Sequence, residues 1–343
     1  MAPGPASDAP PHTPPEGVAP RSDVRRSDGR ESSAARVHAV INKNSGSAGE
    51  AEALEPHIRE TLAARNWSTE TEVVPGADLD ATIGAALKRR PEVLLVGGGD
   101  GTIRTAISRV LGTETVLGII PMGTMNFVAK DLRIPTNPAE AIASLASAEV
   151  RAVDVGEVNG RHFVHSSAIG IVPTLAEKRE RIREASAWRD RAIHLLDAVR
   201  TAAGARPLSL SLEHGGKRRS SRTFSIIVAN NALSDDPLTP YRRHVVDGGE
   251  LSVYVAAHSG RAGIARLLFT FGSGWWFWDR SISEFRTPSL RVHARRKRIA
   301  VSNDGELDVL SLPLRYRIHA KAIRVLAPAP AEPASEDASL SSS

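Results

Sequence analysis

The sequence predicts an α/β half followed by an all-β half: a doubly wound parallel sheet, then an antiparallel β-sandwich. Up to about residue 150, apolar runs of strand length alternate with amphipathic stretches long enough for helices, the pattern of a parallel sheet covered on both faces. Beyond that point short, often alternating segments follow one another with turn residues between them, the pattern of antiparallel strands. Three polar, glycine-bearing loops, NKNSGSAG, GGGDGT and PMGTMN, fall where strands of the first half end, the place where open α/β sheets bind ligands.

Along the chain, residues 1–35 hold Pro, Ser and charges without an apolar run and read as a disordered tail that lacks a signal peptide's h-region. RVHAVIN (Arg36–Asn42) reads as a buried strand, and SGSAGEAEALEPHIRETLAARN as a loop running into an amphipathic helix. STETEVVP is a second strand, and ADLDATIGAALKRR a helix with Asp78 or Asp80 near its start. PEVLLVGG is a third strand, apolar on both faces; the helix IRTAISRVL, the strand TVLGIIP and the helical PAEAIASLAS follow. The second half reads as the strands VRAVDVGEVNG, RHFVHSSAIG, PLSLSLEHGG, RTFSIIVANN, GELSVYVAAH, SLRVHARRKR, RIAVSNDGEL and LRYRIHAKAIRVL. Two helical insertions interrupt it, TLAEKRERIREASAWRDRAIHLLDAVRTAA and RAGIARLLFTFGSGWWFWD. Residues 36–150 are thus assigned to the α/β domain, 151–317 to the β-sandwich, and 329–343 to a second disordered tail.

Composition narrows the chemistry. Among 343 residues, 44 Lys+Arg against 39 Asp+Glu give a net charge of +5 and an isoelectric point near 9.8, which favours anionic partners without choosing among nucleotides, nucleic acid and acidic headgroups. No motif supports nucleic acid. The absence of cysteine excludes disulfides, thiolate nucleophiles and Cys-based zinc sites, and fits a reducing cytoplasm. The most lipophilic stretch, Ile264–Trp278, is broken by Arg266 and by glycines and is too short to span a bilayer. The histidines show no H-E-x-x-H spacing, and GSG at Gly272–Gly274 lacks a nucleophile-elbow frame.

The informative stretch is LLVGGGDGTIRTAI, Leu94–Ile107. A glycine loop between strand and helix usually holds phosphate on backbone N–H groups and the helix dipole, yet this one carries Asp100. It is neither the dinucleotide fingerprint, since G-x-G-x-x-G cannot be placed on its glycines, nor a P-loop, since no Gly-Lys-Ser/Thr follows. A carboxylate beside a polyphosphate is repelled unless a cation lies between them, so Asp100 points to a Mg²⁺-bridged nucleotide. The alternative is that Asp100 caps the helix beginning near Thr102.

GGGDGT resembles the GGDGT signature of the diacylglycerol kinase and sphingosine kinase superfamily, which includes the NAD kinases. INKNSGSAG resembles the lipid kinases' N-P-x-S-G motif with Lys43 in place of proline, LGIIPMGTMNFVAKDLRIP (Leu117–Pro135) their G-I-I-P-x-G-T-x-N-D-F-A-R segment, and RIAVSNDGELDVLSLPLRYRIHAKAIRVLAP their C-terminal block. The resemblance spans residues 36–328 and implies an ATP-binding domain, a β-rich lipid-substrate domain, and a last strand segment, about 318–328, that returns to the first domain. It implies ATP-binding loops at Asn42, Ser45 and Gly46, with Lys43 and Asn44 in the same loop, and at Gly98, Gly99, Asp100, Gly101 and Thr102, with Gly123, Thr124 and Asn126 as further contacts. Phe127 stands where the family has an aspartate, and Arg104 where Asn or Glu is common. Asp304 matches the catalytic aspartate, the base for the lipid hydroxyl; from the residues alone, Asp-Gly between two strands is equally the standard hairpin turn. The family's D-G-x-L metal motif departs here to VVDGGEL, with Asp247 one position upstream, as either a metal ligand or part of an ordinary turn.

Phe269, Phe271, Trp275, Trp276, Phe277 and Trp278 crowd one short segment, read as either a membrane-surface composition or a core helix, while the basic turns Gly215–Arg222 and Ala294–Arg298 read as solvated hairpin tips, with contact to anionic headgroups as the alternative. The expectation is an ATP- and Mg²⁺-dependent kinase of diacylglycerol or a related lipid in phospholipid biosynthesis, cytoplasmic and peripheral at the membrane. The alternatives are a kinase of a soluble substrate such as NAD and a catalytically weak membrane-associated binding protein.

Overall fold

The computed structural model describes residues 35–46, 49–175, 178, 188–234, 242–243, 245–256 and 282–329. In the first half, β1 (Ala35–Asn42), α1 (Glu50–Ala63), β2 (Trp67–Val74), α2 (Leu79–Lys88), β3 (Val93–Gly98), α3 (Asp100–Val110), β4 (Val116–Pro121), α4 (Phe127–Asp131) and α5 (Pro138–Ser144) follow in order. The strands pair in parallel in the order β2–β1–β3–β4. Successive strand residues point to opposite faces, and both faces are covered. Val40, Leu94, Val96, Leu117 and Ile119 pack with α2, α3 and α4. Val37, Ile41, Leu95 and Ile120 pack with α1 and α5. This is why β3 is apolar throughout.

The second half contributes β5 (Glu149–Val158), β6 (Arg161–Phe163), β7 (Ser166–Gly170), β8 (Leu208–His214), β9 (Lys217–Thr223), β10 (Ser225–Asn230), β11 (Leu251–Ala256), β12 (Ile282–Thr287), β13 (Ser289–Ala294), β14 (Arg298–Asn303), β15 (Glu306–Ser311) and β16 (Leu314–Ala327). Six of these form an antiparallel sheet in the order β12–β11–β10–β7–β14–β15. Its inner face (Ile226, Val228, Val253, Val301) packs against Leu210, Leu212, Val292 and Leu314 of the other sheet in one sandwich core.

The two halves share a sheet. β16 pairs with β13 through Ser289–Arg317 and neighbouring residues, runs antiparallel to β5 along most of its length, and meets β4 in parallel at Val325–Leu117. The register shifts between His319 and Ile323, as at a bulge; there Lys321 takes a left-handed φ of 51° and donates its N–H to Asp154 Oδ1 at 2.7 Å. RHFVHSSAIG is split into β6 and β7. Two strands escaped the sequence reading. Lys217–Thr223, read as a basic turn, is β9, whose polar residues reflect its place at the sheet's edge, and β12 also lies at an edge. Trp188–Ala203 of the first helical insertion is a helix. The aromatic segment Phe269–Trp278 lies outside the described residues. Among the described residues, no helix is long and apolar enough to cross a membrane.

Candidate active site

Because β1, β3 and β4 are adjacent and in register, Ile41 opposite Gly97 and Gly98 opposite Pro121, the loops that follow them leave the sheet side by side. The order of the strands reverses between β1 and β3, which opens a crevice at their carboxyl ends. Asn42 Nδ2 donates to Thr102 Oγ1 at 3.0 Å, and its Oδ1 accepts the Asn44 N–H at 3.0 Å. Asn44 Oδ1 in turn accepts the Gly76 N–H at 2.9 Å. Ser45 donates its N–H to the Asn42 carbonyl at 3.1 Å, Gly46 turns the chain with φ 80°, and exposed Lys43 pairs with Glu52 at 3.3 Å. In the third loop Asn126 closes on Gly123 with two bonds, 3.0 and 2.8 Å, and Thr124 is exposed. This loop touches the glycine loop so closely that a Cβ on Gly123 would stand 2.8 Å from Gly99 Cα.

Asp100 is the first residue of α3, not its cap; Gly99 holds the cap position with no side-chain bond to the helix. The Asp100 carboxylate reaches across to α4, accepting the N–H of Asn126 (2.9 Å) and of Phe127 (2.8 Å). Burial pushes its carboxyl above the usual range; the two N–H groups oppose this, and the Asp304 carboxylate nearby adds to the rise. A cation beside such a group relieves both desolvation and repulsion, and each Asp100 oxygen keeps a lone pair for it. The chemistry of the donor set therefore fits Mg²⁺. The first N–H groups of α3, unpaired within the helix, fit phosphate oxygens.

Asp304 does sit in a hairpin turn. Asn303 pairs with Glu306, and Asp304 and Gly305 have φ 50° and 90°, the left-handed pair that a two-residue hairpin loop requires. Its carboxylate nevertheless has a job. Oδ1 accepts the N–H groups of His165 and Ser166, both at 2.9 Å, and Oδ2 accepts that of Val164 at 2.7 Å. The hairpin docks on α3: Arg104 forms an ion pair with Glu306, whose carboxylate lies against Gly101, and Arg104 Nη1 donates to the Asn303 carbonyl at 3.4 Å. Arg104, read from sequence only as a departure, thus joins the two aspartate-bearing motifs. Phe127 lies against the His165 ring, centroids 4.5 Å apart.

Two further residues complete the arrangement. Asp131 at the end of α4 and Arg243 form a fully buried ion pair at 2.7 Å, and Arg243 Nη1 donates to the carbonyls of Val164 (2.6 Å) and Asn230 (2.7 Å). The strip that holds Asp100 and the turn that holds Asp304 are thereby fastened to each other. Both residues lie in ordinary-looking stretches, and only their burial marks them. Asp247 is exposed and belongs to no cluster of candidate metal ligands among the described residues. The buried carboxylate beside its loop is Asp154, which accepts Gly249 N–H at 2.6 Å and Asn231 Nδ2 at 3.0 Å.

Comparison with known proteins accords with this geometry. Residues 36–158 match the diacylglycerol kinase catalytic domain, and residues 174–327 the YegS C-terminal NAD kinase beta sandwich-like domain. A diacylglycerol kinase of Staphylococcus saprophyticus is 38% identical over 95 residues, 26% of this chain and 31% of that protein. The chain thus spans about a third of that relative's length. One from Bacillus subtilis is 26% identical over 219 residues, covering 60% of this chain and 69% of the relative. The "probable lipid kinase YegS-like" protein of Pseudomonas aeruginosa is 44% identical over 80 residues, 22% of this chain and 26% of the relative. In fold, the crystal structure of a diacylglycerol kinase from Bacillus anthracis superposes with a TM-score of 0.66 at 20% identity, covering 85% of this chain and 96% of that one. With both halves matched in order and the glycine loop and hairpin meeting at one crevice, the chain belongs to the diacylglycerol kinase-like lipid kinase family.

Proposed function

We propose that the protein transfers the γ-phosphoryl group of ATP, with Mg²⁺, to the hydroxyl of diacylglycerol or a related lipid, as a step of phospholipid biosynthesis at the cytoplasmic face of a membrane. In this reading residues 36–150 hold the nucleotide and 151–317 the lipid. The observation that carries it is the convergence of the Asp100 and Asp304 motifs, about two hundred residues apart in sequence, where Arg104 and Gly101 beside Asp100 meet Asn303 and Glu306 beside Asp304. The loops at Asn42–Gly46, Gly98–Thr102 and Gly123–Asn126 bind the nucleotide, the α3 N-terminus facing its phosphates. Mg²⁺, when bound, shields phosphate charge from Asp100.

Asp304 orients the acceptor. Of its four lone pairs three are taken, two on Oδ1 and one on Oδ2, so the position left for the substrate hydroxyl is on Oδ2. The hydroxyl proton passes to this oxygen, the acceptor oxygen bonds the γ-phosphorus, and the bond to the β–γ bridging oxygen breaks with its electron pair leaving on ADP. Three N–H bonds hold this carboxylate in a fixed position. That suffices, because a loose phosphoryl-transfer transition state depends on positioning more than on proton abstraction.

The test is transfer of labelled γ-phosphate to diacylglycerol, phosphatidylglycerol, a sphingoid base, a polyprenol and NAD in mixed micelles. Asp304→Asn should lower transfer by about 10²- to 10⁴-fold and leave ATP binding in place. Label in NAD alone would make the protein a kinase of a soluble substrate. Loss of ATP binding together with activity would remove the role given to Asp304.

A further inference from the structure

The two basic runs that read as separate hairpin tips meet on one sheet face. Across the strands, Arg222 stands opposite Ser209, Ser220 opposite Ser211, and Arg218 opposite Glu213. Ser211 and Glu213 in turn stand opposite His293 and Arg291 of β13, and Arg291 opposite Arg315 of β16. Directly opposed residues share a face, and Arg295, in the bend just after β13, lines the same groove as Ser209, Ser211, Arg218 and Arg222. The other side of these strands is the sandwich core, with Leu210, Leu212, Leu290, Val292 and Leu314 buried. The arginine side is therefore the outer one, and Arg218, Arg222, Arg291, Arg295 and Arg315 are all exposed.

Counter-charge is scarce there. Glu213 is engaged by Arg291 at 3.4 Å and His293 at 3.3 Å, and Arg218 Nε donates to Ser211 Oγ at 2.7 Å. Arg222, Arg295 and Arg315 form no ion pair among the described residues. Arg291 directly opposite Arg315 is a like-charge pair, which costs stability in an isolated sheet. On this face lies a shallow, open groove of about 540 Å³, lined by Ser209, Ser211, Arg218, Ser220, Arg222 and Arg295. Small hydroxyl side chains between guanidinium groups leave phosphate oxygens room to approach and donors to meet.

We propose that this outer face of β9, β8 and β13 is the surface by which the protein docks on an anionic phospholipid bilayer, the groove taking lipid phosphate. The choice of partner rests on the lipid-kinase reading, since the acceptor then lies in a bilayer. The face itself argues the same way. It is the outer side of an antiparallel sheet, with no element projecting from these strands and no Phe, Tyr or Trp among its outward-facing opposed residues, whereas single-stranded nucleic acid is held by aromatic stacking and duplex DNA by an element that enters its groove.

The experiment is co-flotation of the full-length chain with phosphatidylcholine vesicles, with and without phosphatidylglycerol, for the wild type and for Arg218→Ser/Arg222→Ser/Arg295→Ser. Wild type should float with the anionic vesicles only, and less as salt rises. The triple variant should bind about 100-fold more weakly, at roughly fivefold per cation near such a surface. It should retain wild-type thermal stability and transfer to acceptor dispersed in neutral detergent. Equal flotation of wild type and variant, or equal flotation with pure phosphatidylcholine, would overturn the proposal. So would tighter binding of RNA or DNA than of vesicles, which would make the face a nucleic-acid surface. Charge-dependent flotation without transfer to any acceptor would leave the docking surface standing and fell the kinase reading instead.

Discussion

At the scale of single residues, environment decided what identity left open. Asp100 has the residue type of a helix cap, yet Gly99 holds that position and the Asp100 carboxylate bonds to the start of α4; Asp304 is both a turn residue and an anchored carboxylate. His162 is a similar case. Burial lowers its pKa from the ordinary 6.5, Glu157 opposes that, and His319 and Arg317 add to the lowering, while Ser108 Oγ lies 3.2 Å from its Nδ1. The unfolded chain then holds the proton more tightly than the native one, so stability tied to this ring is complete above the unfolded value and is lost as pH falls through the native one. Wild type should lose more stability than His162→Gln as pH falls below about 6.5, measured by urea unfolding at a series of pH values. Parallel pH profiles would show that the ring is not held neutral by the fold.

At the scale of elements, the strands and most helices of the first half were readable because β1, β3 and β4 are apolar runs buried on both faces and the longer helices bury one stripe, whereas the five-residue α4 is too short to show one. The glycine loops at the strand ends were readable because glycine there has a steric cause. Gly123→Ala would drive its methyl against Gly99 Cα and part the second and third loops. ATP affinity should fall by about 1–3 kcal/mol, as misfit in a close-packed contact does, with the unfolding midpoint changed less; calorimetric titration reads the first and a thermal melt the second. Unchanged ATP affinity would separate the PMGTMN loop from the nucleotide. β9 and β12 were illegible for the opposite reason. Edge strands have one partner and much exposed surface, so polar residues erase the alternation that marks a strand.

At the scale of the whole molecule, β16 carries one sheet from the sandwich into the α/β half, and the Asp131–Arg243 pair fastens the two aspartate-holding segments together. Removing one partner of a buried pair leaves an uncompensated charge. Arg243→Met should therefore cost about 3–5 kcal/mol in stability. Arg243→Met with Asp131→Leu should recover part of it while activity stays impaired, because Val164 loses its tie in both. Urea unfolding with transfer assays checks this; full activity in the double variant would show that the clamp serves stability alone.

The sequence by itself determined the two-part architecture, the loops at the strand ends and the aspartates within them, since periodicity, glycine spacing and short motifs are local properties of the chain. Only the tertiary structure decided where those carboxylates point, that Arg104 and Arg243 join them, and that two distant basic runs form one face. Hydrogen bonds, ion pairs and strand registers between residues far apart in sequence set these outcomes. Nothing in the neighbourhood of Arg243 or Arg222 announces the partner that the fold brings to it.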